Sequence, residues 1–165
     1  MVPYLIETER LVLRPWATAD VDALAALRQH PEVETRQLIC EWQDAFVMGR
    51  HYLYGMLRQG EPIGEVGLHP CPGLLPDRKM LSYWIHRSHE GQGYVTEAAS
   101  ALVAVARDLG LDCVEIYTDT DNTRSIAVAH RLGFELSGIY ENKHVFCYSF
   151  SASMRTAVTS PPLAG

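Results

Sequence analysis

No apolar run in the sequence approaches the roughly 18–20 residues of a membrane-spanning helix, and the opening MVPYLIETERLVLRPW has no basic stretch leading into an apolar one. Neither a membrane span nor a secretory leader is therefore expected, and a cytoplasmic protein is. No cluster of lysines and arginines offsets the formal net charge of -6, which argues against nucleic acid as a partner. The four cysteines, Cys40, Cys71, Cys113 and Cys147, form no C-x-x-C pair and have no histidines at zinc-ligand spacing. They read as reduced, mostly buried small hydrophobes, with no metal expected. Repeats and low-complexity linkers are absent too. With 165 residues, 47% hydrophobic and 21% charged, the chain has material for one core, so residues 1–152 read as a single domain and 153–165 as a frayed tail.

The pattern along the chain is a mixed α/β one. RLVLRP alternates as a strand, and TADVDALAALRQHP follows as a short helix with Thr18 as its N-cap candidate and Asp20 and Asp22 in the first turn. EVETRQLICEWQDAFVM places Ile39, Trp42 and Phe46 at helical spacing. YLYGMLRQGEPIGEVGLHP reads as two strands joined at RQGEP, and MLSYWIH as a third. A helix is expected from about Val95 to Leu109, closed by Gly110, then the strand CVEIYTD, a helix over NTRSIAVAHRLGF with Asn122 as N-cap candidate, and a last strand HVFCYSFS.

Between the third strand and its helix lies HEGQGYVTEA. An isolated G-x-G is most simply a turn in which glycine supplies positive φ. A dinucleotide fingerprint would need a third glycine where Thr96 stands, and a Walker loop would need G-K-[ST]; neither is present. The remaining reading is an anion cradle. First-turn N–H groups lack intrahelical partners and carry the positive end of the helix dipole, and residues without a Cβ let a diphosphate approach the backbone.

HEGQGYVTEA resembles the acetyl-CoA pyrophosphate loop of the GNAT N-acetyltransferase superfamily. DNTRSIAVAHRLGFELSGIY is similar to its second signature, and IETERLVLRPWATADVDAL to the start of the branch that includes the ribosomal-protein N-terminal acetyltransferases. The resemblance implies a twisted mixed sheet of about six or seven strands flanked by about four helices, with two parallel strands splayed around the cofactor. Backbone N–H groups around Trp84, Ile85 and His86 would face the pantetheine and thioester. Glu90, Gly91, Gln92, Gly93, Tyr94, Val95 and Thr96 would hold the pyrophosphate, with Asn122 and Ser125 beside the pantetheine arm and Arg131 near the CoA phosphates.

The activity so implied is acetyl transfer from acetyl-CoA to a primary amine, a protein N-terminus or a small molecule, by direct attack in a ternary complex. It needs deprotonation of the amine, donors aimed at the oxyanion, and an acid for the departing sulfur. Glu65 and His69 alternate onto one strand face and are the candidate bases, because the glutamate that many relatives carry falls on Met80 here. Tyr140 and Ser125 are the candidate acids, because the relatives' helix tyrosine falls on Ala129. Trp42, Phe46, Tyr52 and Tyr54 could line an acceptor groove or simply be core. Loss of both expected groups also fits a silent CoA-binding sensor or scaffold. Homodimers through the late strands are common in the family.

Overall fold

The computed structural model describes residues 1–73 and 75–150. The expected tail lies outside them. In chain order the elements are β1 (Ile6–Glu7), β2 (Val12–Arg14), α1 (Val21–Arg28), α2 (Glu32–Val47), β3 (Tyr52–Arg58), β4 (Glu61–Pro70), β5 (Arg78–Ile85), α3 (Tyr94–Asp108), β6 (Cys113–Asp119), α4 (Thr123–Arg131), β7 (Glu135–Tyr140) and β8 (Lys143–Ser149). The eight strands form one sheet in the order β1-β2-β3-β4-β5-β6-β8-β7, antiparallel throughout except for the β5–β6 pair.

The expectation of six or seven strands is one or two short, because β1 and β7 carry weak sequence signals. β1 is two residues long, and β7 opens at Glu135 and places Leu136 and Ile139 outward. An edge strand with apolar residues facing solvent has no inside-outside alternation to read.

The start of α1 also differs from the expectation. A 3-10 turn, Thr18–Asp20, precedes the helix, and Thr18 makes no cap. Asp20 does the tethering: its carboxylate accepts the Ala17 N–H at 2.8 Å and the Arg14 guanidinium at 2.7 and 2.8 Å.

Each sheet face has its own apolar layer. Residues that alternate onto one face, including Tyr54, Val66, Leu68 and Leu81, join Ala98, Ala99, Leu102 and Ala106 of α3 in the main core. On the opposite face Leu53 packs with Trp16, Val21, Leu24 and Ile39, under α1 and α2. Phe46 meets Tyr52 (5.4 Å) and Tyr54 (5.3 Å) edge to face; Tyr54 is fully buried in the core, whereas Phe46 and Tyr52 also line a cavity of about 500 Å³ together with Tyr4 and Gln43. The α3 helix ends as expected, with Gly110 at φ 75° and its N–H on the Arg107 carbonyl at 2.9 Å.

Gly64 lies where β4 passes β5 most tightly: a Cβ there would sit 2.2 Å from the Trp84 carbonyl oxygen and 2.8 Å from Ile85 Cα. Backbone cannot yield as a side chain can, so Gly64→Ala is expected to lower stability by about 3 kcal/mol, the upper end of overpacking costs, in urea unfolding. The Arg14 hydrogen bond, with the Ala17 N–H, holds the Asp20 carboxyl below the usual carboxylate range. A depressed folded value contributes stability above the unfolded pKa of about 3.9 and loses it as pH falls through the folded one. Asp20→Asn should therefore cost about 1 kcal/mol at pH 7, a figure kept small because the pair is partly exposed, and the difference should shrink as the pH falls below the unfolded value and through the lowered folded one.

Candidate functional site

Strands β5 and β6 pair over only three residues, Arg78↔Cys113, Lys79↔Val114 and Met80↔Glu115. Past them the two strands part, β6 remaining paired with β8 and β5 with β4 on their outer sides. The gap so opened is a cavity of about 460 Å³ lined by residues that include Met80, Ser82, Tyr83, Tyr117, Asn122, Ser125 and Tyr140.

Antiparallel pairing decides which backbone donors face this gap. The His86 N–H donates to the Ile63 carbonyl at 2.8 Å, and residues two apart repeat that orientation. The N–H groups of Trp84 and His86 therefore point toward β4, while those of Tyr83 and Ile85 point toward the gap. Of the expected trio only Ile85 keeps its place as a backbone donor, and Tyr83 joins it. The Trp84 side chain is 38% exposed on the α1–α2 face, and the His86 ring accepts from Ser88.

Beyond β5 a short 3-10 turn, Arg87–His89, leads through Glu90 to Gly91 and Gly93 at φ 73° and 81°, conformations that suit glycine. Gly93 is the N-cap of α3, one residue earlier than the periodicity predicts. The N–H groups of Gly91, Gln92, Gly93, Tyr94, Val95 and Thr96 have no hydrogen-bond acceptor among the described residues. That is the hydrogen-bonding vacancy and dipole end that a diphosphate fits.

Residues from the start of the chain fix this cradle. Glu97 accepts the Thr8 hydroxyl at 2.6 Å and the Arg10 N–H and Nε at 2.7 Å each, while Arg10 also donates to the Gln92 carbonyl at 2.9 Å. Arg10 and Arg58 lie over the buried Tyr94 ring, 4.4 and 5.7 Å from its centroid. Arg124 of α4 is ion-paired with Glu90. None of Arg10, Arg58 and Arg124 stands out in the sequence, because only the fold brings their distant segments to the loop.

The structure separates the candidate acid and base residues. Tyr140 and Ser125 both line the cavity; the Tyr140 ring meets Tyr117 edge-on at 6.0 Å, and Ser125 Oγ hydrogen-bonds Tyr83 at 2.8 Å. Asn122 Oδ1 accepts the Ser125 N–H at 3.1 Å, so it is an N-cap and also borders the cavity. Arg131 is exposed in the last turn of α4, at the other end of that helix from Asn122, and lines neither cradle nor cavity. Ala129 is fully buried in the core and holds no polar group toward the gap.

Glu65 does share a strand face with His69, yet it is 3% exposed, accepts Trp16 Nε1 at 2.8 Å and is ion-paired with Arg28. Arg28 in turn stacks over Trp42 (5.2 Å) and Trp84 (5.8 Å). The carboxylate is thus a fixed anchor between β4 and α1. His69 hydrogen-bonds Ser82 Oγ at 2.6 Å and His51 Nδ1 at 2.9 Å, and burial, followed by the charges of its neighbours, pushes its pKa down to about 4.

The cysteines divide differently from expectation: Cys71 and Cys113 are buried, Cys147 is intermediate and Cys40 is exposed. Cys113, Glu115 and Cys147 bring potential ligand atoms within 4.8 Å of one another, but the Glu115 carboxylate there is engaged by Arg78 at 3.0 Å and by Tyr117 at 2.6 Å.

The Acetyltransferase (GNAT) domain family matches residues 10–135. YdaF of Bacillus subtilis (strain 168), whose name makes it a candidate ribosomal N-acetyltransferase, is 31% identical over 99 residues; the match spans 59% of this chain and 53% of that protein. A Vibrio cholerae structure described as a candidate ribosomal-protein-serine acetyltransferase superposes with TM-score 0.77 at 25% identity, over 90% of this chain and 99% of its own. RimL, a ribosomal L7/L12 alpha-N-protein acetyltransferase solved in complex with coenzyme A, shares the fold with TM-score 0.77 at 22% identity, over 90% and 97% of the two chains.

Removing the Glu65 carboxylate would leave Trp16 Nε1 and the Arg28 guanidinium without their acceptor. Glu65→Ala is expected to destabilise the protein by about 3 kcal/mol in urea unfolding, the range for breaking a buried pair, and Glu65→Gln by less because it still accepts from Trp16.

Proposed function

The chain belongs to the GNAT acetyltransferase family and is an acetyl-CoA-dependent N-acetyltransferase; from that premise we propose that it transfers the acetyl group to the N-terminal α-amine of a protein, by direct attack in a ternary complex. The observation that carries the cofactor side is the set of N–H groups from Gly91 to Thr96 that have no acceptor among the described residues, in the loop and helix start that follow β5. Those six donors and the α3 dipole would hold the diphosphate. Arg58 adds positive charge nearby, while Arg10 and Arg124 offset the carboxylates of Glu97 and Glu90 with which they pair, and the backbones of Tyr83 and Ile85 would take the pantetheine arm. Asn122 and Ser125 close the far wall.

The reactive end of that arm falls between Ser82 on one strand and Tyr117 and Tyr140 on the other side of the cavity. The backbone donors of the gap are fixed before any substrate arrives, so they can stabilise charge developing on the carbonyl oxygen without reorganising. Tyr140 carries a hydroxyl at the cavity wall that can protonate a departing sulfur. An α-amine titrates near pH 8 and is partly neutral at pH 7, which a lysine side chain near 10.4 is not. That difference, and the ribosomal-protein acceptors named for the relatives YdaF and RimL, favour a protein N-terminus as the acceptor.

Calorimetric titration with acetyl-CoA, followed by thiol-release assays on N-terminal peptides and on small amines, tests this reading. Micromolar binding is expected, with turnover on peptides opening with serine or alanine. Binding with turnover confined to small-molecule amines would reject the acceptor, and absence of binding would reject the site. Tyr140→Phe should lower kcat about 10- to 100-fold with the acetyl-CoA Kd unchanged.

A further inference from the structure

A second polar feature meets the cavity from behind the sheet. Ser82 lines the gap, and its Oγ lies 2.6 Å from His69 Nε2; His69 Nδ1 lies 2.9 Å from His51 Nδ1, with the two rings edge to face at 5.2 Å. Ser82, His69 and His51 come from β5, β4 and the segment just before β3, so two neighbouring strands and the approach to a third supply one unbroken chain of titratable or hydroxylic atoms. Its inner end opens on the cavity and its outer end is the half-exposed His51, whose N–H is pinned to the Ala45 carbonyl at 3.3 Å. Space for it depends on Gly67, where a Cβ would stand 2.8 Å from His69 Nε2.

We propose that Ser82, His69 and His51 form a proton relay that carries one proton of the acceptor amine from the cavity to solvent. The proposal rests on the amine-acetylation reading above. Over one turnover an ammonium acceptor loses two protons as the N–C bond forms and the C–S bond breaks: one ends on the sulfur and one in water. The relay moves the second. The nitrogen gives a proton to Ser82 Oγ as the Ser82 hydroxyl passes its own to His69 Nε2; the His69 Nδ1 proton moves to His51 Nδ1, and His51 releases its Nε2 proton to bulk water. After product release, one proton passing the other way between water in the cavity and water at His51 restores both tautomers.

No buried charge need persist at any point. His69 is too strongly desolvated to stay protonated, while His51, lowered by burial and then by Lys79 and Arg50, has water beside it. The charged or titratable groups facing the pair are Lys79 of β5 and Arg50 before β3, both positive, so they speed proton release. Glu65 is on the same strand face but is committed to Trp16 and Arg28. Met80 sits opposite His69 in the β4–β5 register, beside the path, and offers no titratable group of its own.

Ser82→Ala and His69→Gln are expected to lower kcat about 100-fold at pH 7 with acetyl-CoA Kd and acceptor KM within 2-fold, the loss shrinking toward pH 9 as hydroxide replaces the relay. His51→Phe should give a smaller loss with the same pH trend. Unchanged kcat and pH profile in Ser82→Ala and His69→Gln would overturn the relay. A readout free of activity is ¹⁵N-imidazole NMR: His69 should carry its proton on Nδ1 with a bare, hydrogen-bonded Nε2 down to about pH 5, and Ser82→Ala should shift that nitrogen alone. Protonated Nε2 at neutral pH would overturn the relay whatever the acceptor. The expected NMR pattern in a protein that acetylates no amine would keep the hydrogen-bond chain, reject proton export during transfer, and place the failure in the acceptor reading.

Discussion

Strands that lie side by side normally stay hydrogen-bonded for their whole length, since unpaired backbone groups in an interior are costly, yet β5 and β6 part after three residue pairs. That parting is the constraint on which the site depends. It is stable because each strand keeps a full antiparallel partner on its other side, β4 for β5 and β8 for β6. The N–H groups of Tyr83 and Ile85 are thereby left facing the gap between the two strands. They are at once a liability in the free protein and the donors that an extended amide-bearing arm would satisfy.

The cradle at the start of α3 obeys the same logic. Six consecutive N–H groups lack acceptors among the described residues, and the loop that carries them is held in shape from outside by Arg10 and Glu97. Preorganisation of this kind places the binding donors before the ligand arrives and leaves the catalytic side chains free to vary. Variation is what the sheet shows. The face opposite α3 carries Glu65 locked to Trp16 and Arg28, and it carries His69 bridged between Ser82 and His51. Two polar groups four residues apart on one strand thus have opposite fates, set by the neighbours that α1 and β5 bring to them.

The loop and helix start proposed for the cofactor were legible in the sequence because they are local: the glycines, the helix start and the preceding strand are contiguous, and their pattern resembles a known family loop. The surroundings of the candidate acid and base residues were not, because they depend on cross-strand neighbours. Nothing in the primary structure places Ser82 and His51 against His69, or turns the Trp84 and His86 N–H groups toward β4; both follow from the β4–β5 register. Weak edges were missed for a related reason. β7 places Leu136 and Ile139 in solvent, so its alternation carries no burial signal, and β1 is too short to show one. Asp20 replaced Thr18 at the start of α1 because Arg14, six residues earlier, positions its carboxylate.

The most direct test of the central claim is backbone amide NMR of the protein titrated with acetyl-CoA. The account predicts that the amides of Tyr83 and Ile85 and the run from Gly91 to Thr96 shift and gain protection from exchange, while those of Trp84 and His86 change little. Saturable binding that leaves Tyr83, Ile85 and the Gly91–Thr96 run unperturbed would contradict it.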